Sequence, residues 1–164
     1  MKSIAIDVRN LTKIYGEGRT AVKALDSVEL GIERGEFVAL MGPSGSGKST
    51  LLNIVGGLDW ATTGEVYVDG VEVTGLPESQ LFQIRRHQIG FVFQAFHLSP
   101  TLSVLDNVLL PALPIGIDRE RRQRANKLLE RVGMSQRMTR RPSQLSAGER
   151  QRVALARALV MNPC

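Results

Sequence analysis

The segment Gly42-Pro43-Ser44-Gly45-Ser46-Gly47-Lys48-Ser49-Thr50 carries the residue types that hold a polyphosphate. Its spacing is G-x-x-x-x-G-K-[S/T], in which successive backbone N–H groups turn inward towards phosphate oxygens. Gly45 and Gly47 admit backbone conformations closed to other residues. Lys48 is placed to reach the β- and γ-phosphates, and the Ser49 hydroxyl to help hold Mg²⁺. A second stretch with chemistry to offer is Leu145-Ser146-Ala147-Gly148-Glu149, just ahead of the apolar positions Val153, Leu155 and Leu159. Ser146 followed three residues later by glutamate is a capping box, which by itself accounts for the start of a helix. The same physics makes that helix start a place for an anion, because free amides and the positive dipole end meet there.

These residues need elements to position them. Phe37 to Met41 is a continuous apolar run behind Gly35, expected to be a fully buried strand. Lys48 to Gly57 reads as a helix, so the phosphate loop stands between strand and helix, the context that the motif requires. Ile89 to Phe93 is expected to be a second buried strand, ending at Gln94. Ser3–Arg9 and Ala21–Ile32 read as further strands, and Glu65–Val73 as a hairpin around Asp69-Gly70. Gln80–Arg86, Ser103–Leu110, Arg119–Val132 and Ser146–Met161 have helical character. For the third of these, Asp118 is the expected N-cap, Leu128, Leu129 and Val132 the apolar stripe, and Gly133 the stop. Glu120 stands four residues before Arg124, a spacing that pairs charges on one face. Strands dominate the first part and helices the last. The expectation is an α/β chain of one domain over 1–164, β-rich over 1–94 and helical over 95–161, with no internal repeat.

Length and composition agree with one globular domain. The chain has 164 residues, 43% of them hydrophobic, and no apolar run approaches the roughly 18 residues that a membrane span needs. The most apolar region, Val104 to Ile117, is broken by Asp106, Asn107, Pro111 and Pro114. The opening MKSIAIDVRN lacks the apolar core of a secretion signal. One cysteine, Cys164, fits a reducing compartment, so a cytoplasmic protein is expected. The net charge of +5 gathers partly in Arg119–Arg124 and Arg137–Arg141. The first cluster reads as a solvated helix face, and no nucleic-acid partner is expected.

The phosphate loop, Ile89-Gly-Phe-Val-Phe-Gln94 and Leu145-Ser-Ala-Gly-Glu-Arg-Gln-Arg-Val-Ala-Leu-Ala-Arg-Ala-Leu159 together resemble the ATP-binding cassette (ABC) ATPases. The resemblance runs from about Ile4 to the last residue. GGLDWATTGEVYVDG and IGFVFQAFHLSPTLSVLDNV are most similar to the subfamily serving lipoprotein release and macrolide export. It implies ATP and Mg²⁺ as ligands and a P-loop fold of the ABC type, with an antiparallel β portion ahead of a helical one. Tyr15, in Leu-Thr-Lys-Ile-Tyr-Gly, matches the aromatic that stacks on adenine; on its own it is an aromatic at a strand end. Gln94 matches the glutamine that touches Mg²⁺ and the attacking water while sensing the membrane partner. Its own support is its position past a strand's carboxyl end, where ligands of open α/β sheets lie. A polar residue where a strand surfaces is the plainer account.

By the same resemblance, Leu145–Glu149 binds the γ-phosphate of ATP held by the opposite subunit, so that two cassettes sandwich two nucleotides head to tail. Ala147 stands where glycine is usual. Its methyl is expected to crowd that phosphate and weaken the sandwich modestly, although alanine is the better helix former by up to ~1 kcal/mol. Ala154, Ala156 and Ala158 suit close packing, and Arg150, Arg152 and Arg157 supply positive charge. The implied protein is an ATP-hydrolysing homodimer on the inner face of the cell membrane, energising a separate transmembrane permease.

Some family parts have no match. Asp7 and Asp69 each end an apolar run without a following glutamate, and the only histidines, His87 and His97, flank the Ile89 strand and stand in the wrong order. The Asp-Glu strand and the switch histidine belong after a stretch such as Asn162-Pro163. The expectation is therefore a truncated, N-terminal portion that is marginal in stability and hydrolyses ATP poorly or not at all. Other readings are a DNA-repair type ABC ATPase, a small P-loop kinase and a non-catalytic nucleotide-binding remnant. The long coiled-coil members of the first kind are disfavoured because Gly42 and Leu145 stand only 103 positions apart.

Overall fold

Alternating apolar and polar residues at the start of the chain build long paired strands. In the computed structural model, which describes Ser3–Pro163, β1 (Ile4–Tyr15) pairs antiparallel with both β2 (Val22–Glu33) and β3 (Thr63–Val68). β3 turns back into β4 (Val71–Glu72), giving the order β2-β1-β3-β4. Asp69 and Gly70 have φ of 53° and 81°, the pair of positive angles that a type I′ hairpin turn demands. β1 runs six residues past the expected Arg9. The register shifts against both neighbours around Asn10, at φ 45°, and such a bulge hides the continuation from a period-two reading.

Packing divides the described residues into one unit ending at Arg85 and a second spanning Arg86–Pro163. In the first, α1 (Lys48–Val55) packs on β1, β2 and β3. Val8, Leu11 and Val66 of the sheet are buried, as are Leu51 and Ile54 of α1. α2 (Glu78–His87) buries Leu81, and its Arg85 donates to the Gly57 carbonyl at 2.6 Å.

The second unit is helical: α3 (Val104–Leu109), α4 (Arg119–Arg131) and α5 (Ala147–Leu159). Its core gathers Val104, Val108, Leu109, Leu129, Met134 and Val153. The expected caps are present. Asp118 accepts the Arg121 amide at 2.8 Å, and Gly133 follows α4 with φ 71°. The Glu120–Arg124 pairing is corrected. Arg124 reaches across to α5, donating to the Leu159 carbonyl at 3.2 Å and to Asn162 Oδ1 at 2.7 Å, where the C-terminal carbonyls of a helix attract a cation.

Two further expectations are overturned. Phe37–Met41 pairs with no strand, and Phe37 and Met41 are 98% and 90% exposed. Ile89–Phe93 is likewise unpaired. A buried parallel strand needs partners on its edges and helices on both faces; among the described residues the sheet is antiparallel throughout and includes neither segment. Phe91 and Phe93 stack on each other instead, their centroids 5.5 Å apart. Met1, Lys2 and Cys164, the lone cysteine, lie outside the described residues.

Candidate functional site

The phosphate loop is shaped by one close approach. Gly47 caps α1 with φ 85°, and a Cβ there would stand 2.4 Å from the Ala24 carbonyl of β2. Only a residue without a side chain lets the loop lie this close to the sheet while turning left-handed. α1 follows directly; its first intrahelical bond runs from the Leu51 amide to the Gly47 carbonyl at 2.9 Å, so the amides of Lys48, Ser49 and Thr50 lack intrahelical acceptors. Lys48 Nζ donates to the carbonyls of Gly42 at 2.9 Å and Pro43 at 2.7 Å and to Ser46 Oγ at 3.0 Å. The ammonium is thus held inside the curl of the loop. Ser49 and Ser44 are exposed and Thr50 half-buried. A loop set tightly against β2, free amides at a helix start and one enclosed cation form a donor set that suits a polyphosphate.

Tyr15 ends β1 opposite Val22 of β2, two residues from the Ala24 carbonyl that backs the loop. The residue is 41% exposed. Both features belong to the first unit. Gln94 and Leu145–Glu149 belong to the second.

Gln94 is exposed in a turn after Phe93. Phe96 and His97 behind it hold φ of 59° and 46°, a strained region for residues of this kind. Arg157 of α5 grips both, donating to the Phe96 carbonyl at 2.5 Å and the His97 carbonyl at 2.6 Å. The arginine read only as positive charge therefore fixes the backbone that carries Gln94. Close packing by small residues is also present. Ala154 and Ala156 are buried, and Gly90 passes so near α5 that a Cβ would meet the Ala158 carbonyl at 2.4 Å.

At the start of α5 the capping box forms in full. Ser146 Oγ accepts the Glu149 amide at 3.3 Å, and Glu149 Oε2 accepts the Ser146 amide at 2.8 Å. Ala147 is the first helical residue, and space beside Gly148 is open. Leu145 is buried in the helical core.

The comparison with known proteins follows the same residues. The family model described as ABC transporter matches residues 25–164. The chain belongs to the ABC transporter family. Among this family's curated members, it is 51% identical over 158 residues to the macrolide export ATP-binding/permease protein MacB of Chlorobaculum tepidum, covering 96% of this chain and 24% of that protein. It is 48% identical to the lipoprotein-releasing system ATP-binding protein LolD of Bordetella avium, covering 97% and 70%. Among solved structures, the ATP-binding cassette MJ0796, in a dimeric post-hydrolysis state bound to ADP and Pi, superposes with a TM-score of 0.88 at 47% identity. That match covers 96% of this chain and 70% of that one. The chain therefore has the α/β fold of an ABC ATPase cassette and spans about a quarter to seven-tenths of the length of these relatives.

One residue of this ABC helix start went unread in the sequence. Arg137 Nε lies 2.6 Å from Glu149 Oε1, twelve positions away with no periodicity to reveal it. The amide and hydroxyl of Ser146 chiefly, with Arg137 and Arg152, hold the Glu149 carboxyl below its ordinary value of 4.5. A carboxylate favoured by the fold stabilises it above the ordinary value, and that stabilisation is lost as pH falls through the lowered one. Thermal unfolding should therefore show the native chain losing midpoint temperature below about pH 4.5 more steeply than Glu149→Gln, which has no charge to lose. Parallel curves for the two would show that the carboxylate gives the cap nothing.

Proposed function

We propose that this chain is the ATP-binding portion of a transporter ATPase, holding MgATP in the phosphate loop and passing the consequences of its hydrolysis to a membrane permease. The observation that carries the reading is the loop at the head of α1, where Gly47 lies against Ala24 and the Lys48 ammonium is gathered onto the Gly42 and Pro43 carbonyls. Gly42–Thr50 would take the phosphates, with Lys48 exchanging its carbonyl partners for phosphate oxygens. Among the described residues no cluster of three or more His, Cys, Asp or Glu is poised for a metal. In the first unit Mg²⁺ would be held by the Ser49 hydroxyl and the phosphates themselves, hard oxygen ligands of the kind this ion prefers; Gln94 is proposed as a further ligand on the family resemblance alone. Bound there, Mg²⁺ neutralises charge on the phosphates. Tyr15 would stack on the adenine.

Leu145, Ser146, Ala147, Gly148 and Glu149 would present the amides of α5 to the ATP of a second cassette, making a homodimer with two shared sites. Membership of the family and the dimeric MJ0796 cassette support this arrangement. LolD and MacB, by their names, serve lipoprotein release and macrolide export; export or lipoprotein release through a separate permease is the reading adopted for this chain. No helix among the described residues is long and apolar enough to cross a membrane. The placement proposed is peripheral, on the cytoplasmic face.

Calorimetric titration with MgATP tests the core of this reading. Charge-assisted hydrogen bonds contribute about 1.5–3 kcal/mol, so Lys48→Ala should weaken binding roughly 10- to 150-fold. The lysine is exposed enough that the fold should survive, which far-ultraviolet circular dichroism checks. A folded Lys48→Ala chain that binds MgATP like the native one would overturn the assignment.

A further inference from the structure

Tyr15 is not a free aromatic. Its hydroxyl donates to Asp59 Oδ2 at 2.6 Å. The other carboxylate oxygen of Asp59 accepts from Lys13 Nζ at 2.8 Å and from the Trp60 amide at 2.7 Å. Lys13 Nζ also donates to the Trp60 carbonyl at 2.6 Å and stands 4.7 Å from the Tyr15 ring centroid. The side chains of Lys13 and Asp59 are only 12% and 23% exposed. The loop that carries Asp59 is itself sewn to the end of β1. Thr62 donates its amide to the Thr12 carbonyl at 2.9 Å, and its Oγ1 accepts the Ile14 amide at 2.9 Å. Burial pushes the Asp59 carboxyl up, but the bonds from Lys13, Tyr15 and Trp60 together outweigh it and hold the group below its ordinary value.

This arrangement fixes both the position and the face of the ring. A phenol tethered at its hydroxyl cannot swing about its side-chain torsions, and the ammonium covers one of its two faces. What remains is a single exposed face at the end of β1. A cation on the covered face draws π density towards itself, which eases the approach of an electron-rich purine to the other. Preorganisation of this kind raises affinity by removing the entropy that an unrestrained side chain would lose on binding.

We infer that Asp59 and Lys13 are positioning residues for the nucleotide base, acting through Tyr15 and not through the phosphate loop. The inference rests on the reading of Tyr15 as the base-stacking residue. It assigns to Asp59, 44 residues away in sequence, a role in discriminating a nucleoside triphosphate from a bare triphosphate.

The test is calorimetric titration of the chain with MgATP and, separately, with inorganic triphosphate and Mg²⁺. A lost hydrogen bond of this kind is worth several-fold, so Tyr15→Phe and Asp59→Ala should each weaken ATP about 3- to 10-fold. Triphosphate affinity should stay within about twofold, because neither residue faces the phosphates. The double variant should be little weaker than Asp59→Ala alone, since both changes break one tether. Equal loss for ATP and triphosphate in Asp59→Ala would reduce Asp59 to a structural role and overturn the inference. So would unchanged ATP affinity in Asp59→Ala and Tyr15→Phe while Tyr15→Ala weakens it. If Tyr15→Ala itself leaves the preference for ATP over triphosphate intact, the stacking reading fails and this inference with it. Tyr15→Phe removes one oxygen only, so the test stays readable even if Asp59→Ala does not fold.

Discussion

Gly47→Ala is expected to destabilise the first unit by about 2–4 kcal/mol and to remove MgATP binding measurable by calorimetry. Two costs add there. The residue sits at φ 85°, and the new Cβ would be placed 2.4 Å from the Ala24 carbonyl and 3.0 Å from a Leu25 methyl. Ala24 lies within β2 between the paired Lys23 and Leu25, so its carbonyl moves only with the strand and the loop must lift away from β2. Lifting it turns the α1 amides away from the curl of the loop. Gly45→Ala separates the two costs: its φ is 82°, yet nothing lies within 4 Å of the added methyl. It should lose only the left-handed strain, about 1–2 kcal/mol, and keep most of its nucleotide affinity. Urea unfolding of both variants, with MgATP titrations alongside, gives the comparison. If the two proved equally destabilised, contact with β2 would not be what shapes the loop.

That contrast also marks what a sequence discloses. The G-x-x-x-x-G-K-S run is legible because its chemistry is local: the glycines, the lysine and the helix start lie within nine positions. Asp118, Gly133, Ser146 with Glu149 and Asp69-Gly70 are legible for the same reason, since caps and tight turns are settled by residues three or four apart. Phe37–Met41 failed because strandness is conferred by partners. An apolar run states that burial is wanted, not that an edge is available. Arg124 went to Leu159 and Asn162 instead of Glu120 because an exposed pair on one helix gains only a few tenths of a kcal/mol. A helix C-terminus rich in free carbonyls competes easily with that. Lys13 and Asp59, Arg137 and Glu149, and Arg157 with Phe96 are all meetings across 12 to 61 positions. Nothing in their spacing could mark them. The family resemblance supplied Tyr15 and Gln94, but not the groups that hold either in place.

Asn107 is the most consequential of these unseen residues. In the sequence it is one of the polar interruptions of an apolar stretch; in the fold it is fully buried, at 0% exposure, within α3. Its amide nitrogen donates to the carbonyls of Ser99 at 3.1 Å, Leu102 at 3.2 Å and Ser103 at 2.9 Å, and its oxygen accepts the Ser99 amide at 2.7 Å. One side chain thus ties both ends of the loop from Ser99 to Ser103, which arrives at α3 from the segment bearing Gln94. Asn107→Leu fits the volume but strands the Ser99 amide and the carbonyls of Ser99 and Leu102, while the Ser103 carbonyl keeps the backbone amide of residue 107. With about 1–3 kcal/mol for each buried group left unpaired, and partial relief by relaxation, the expected loss is about 3–5 kcal/mol. Asn107→Asp should lose as much at neutral pH, for a different reason: it keeps the acceptor for the Ser99 amide but sets a buried negative charge against three carbonyl oxygens. Its carboxyl is favoured in the neutral form by the fold, so its stability should recover as pH falls, whereas that of the leucine variant should not. Urea unfolding at neutral and at mildly acidic pH distinguishes the two. Recovery in neither would mean that the loop finds other partners, and that Asn107 fills space in α3 without anchoring it.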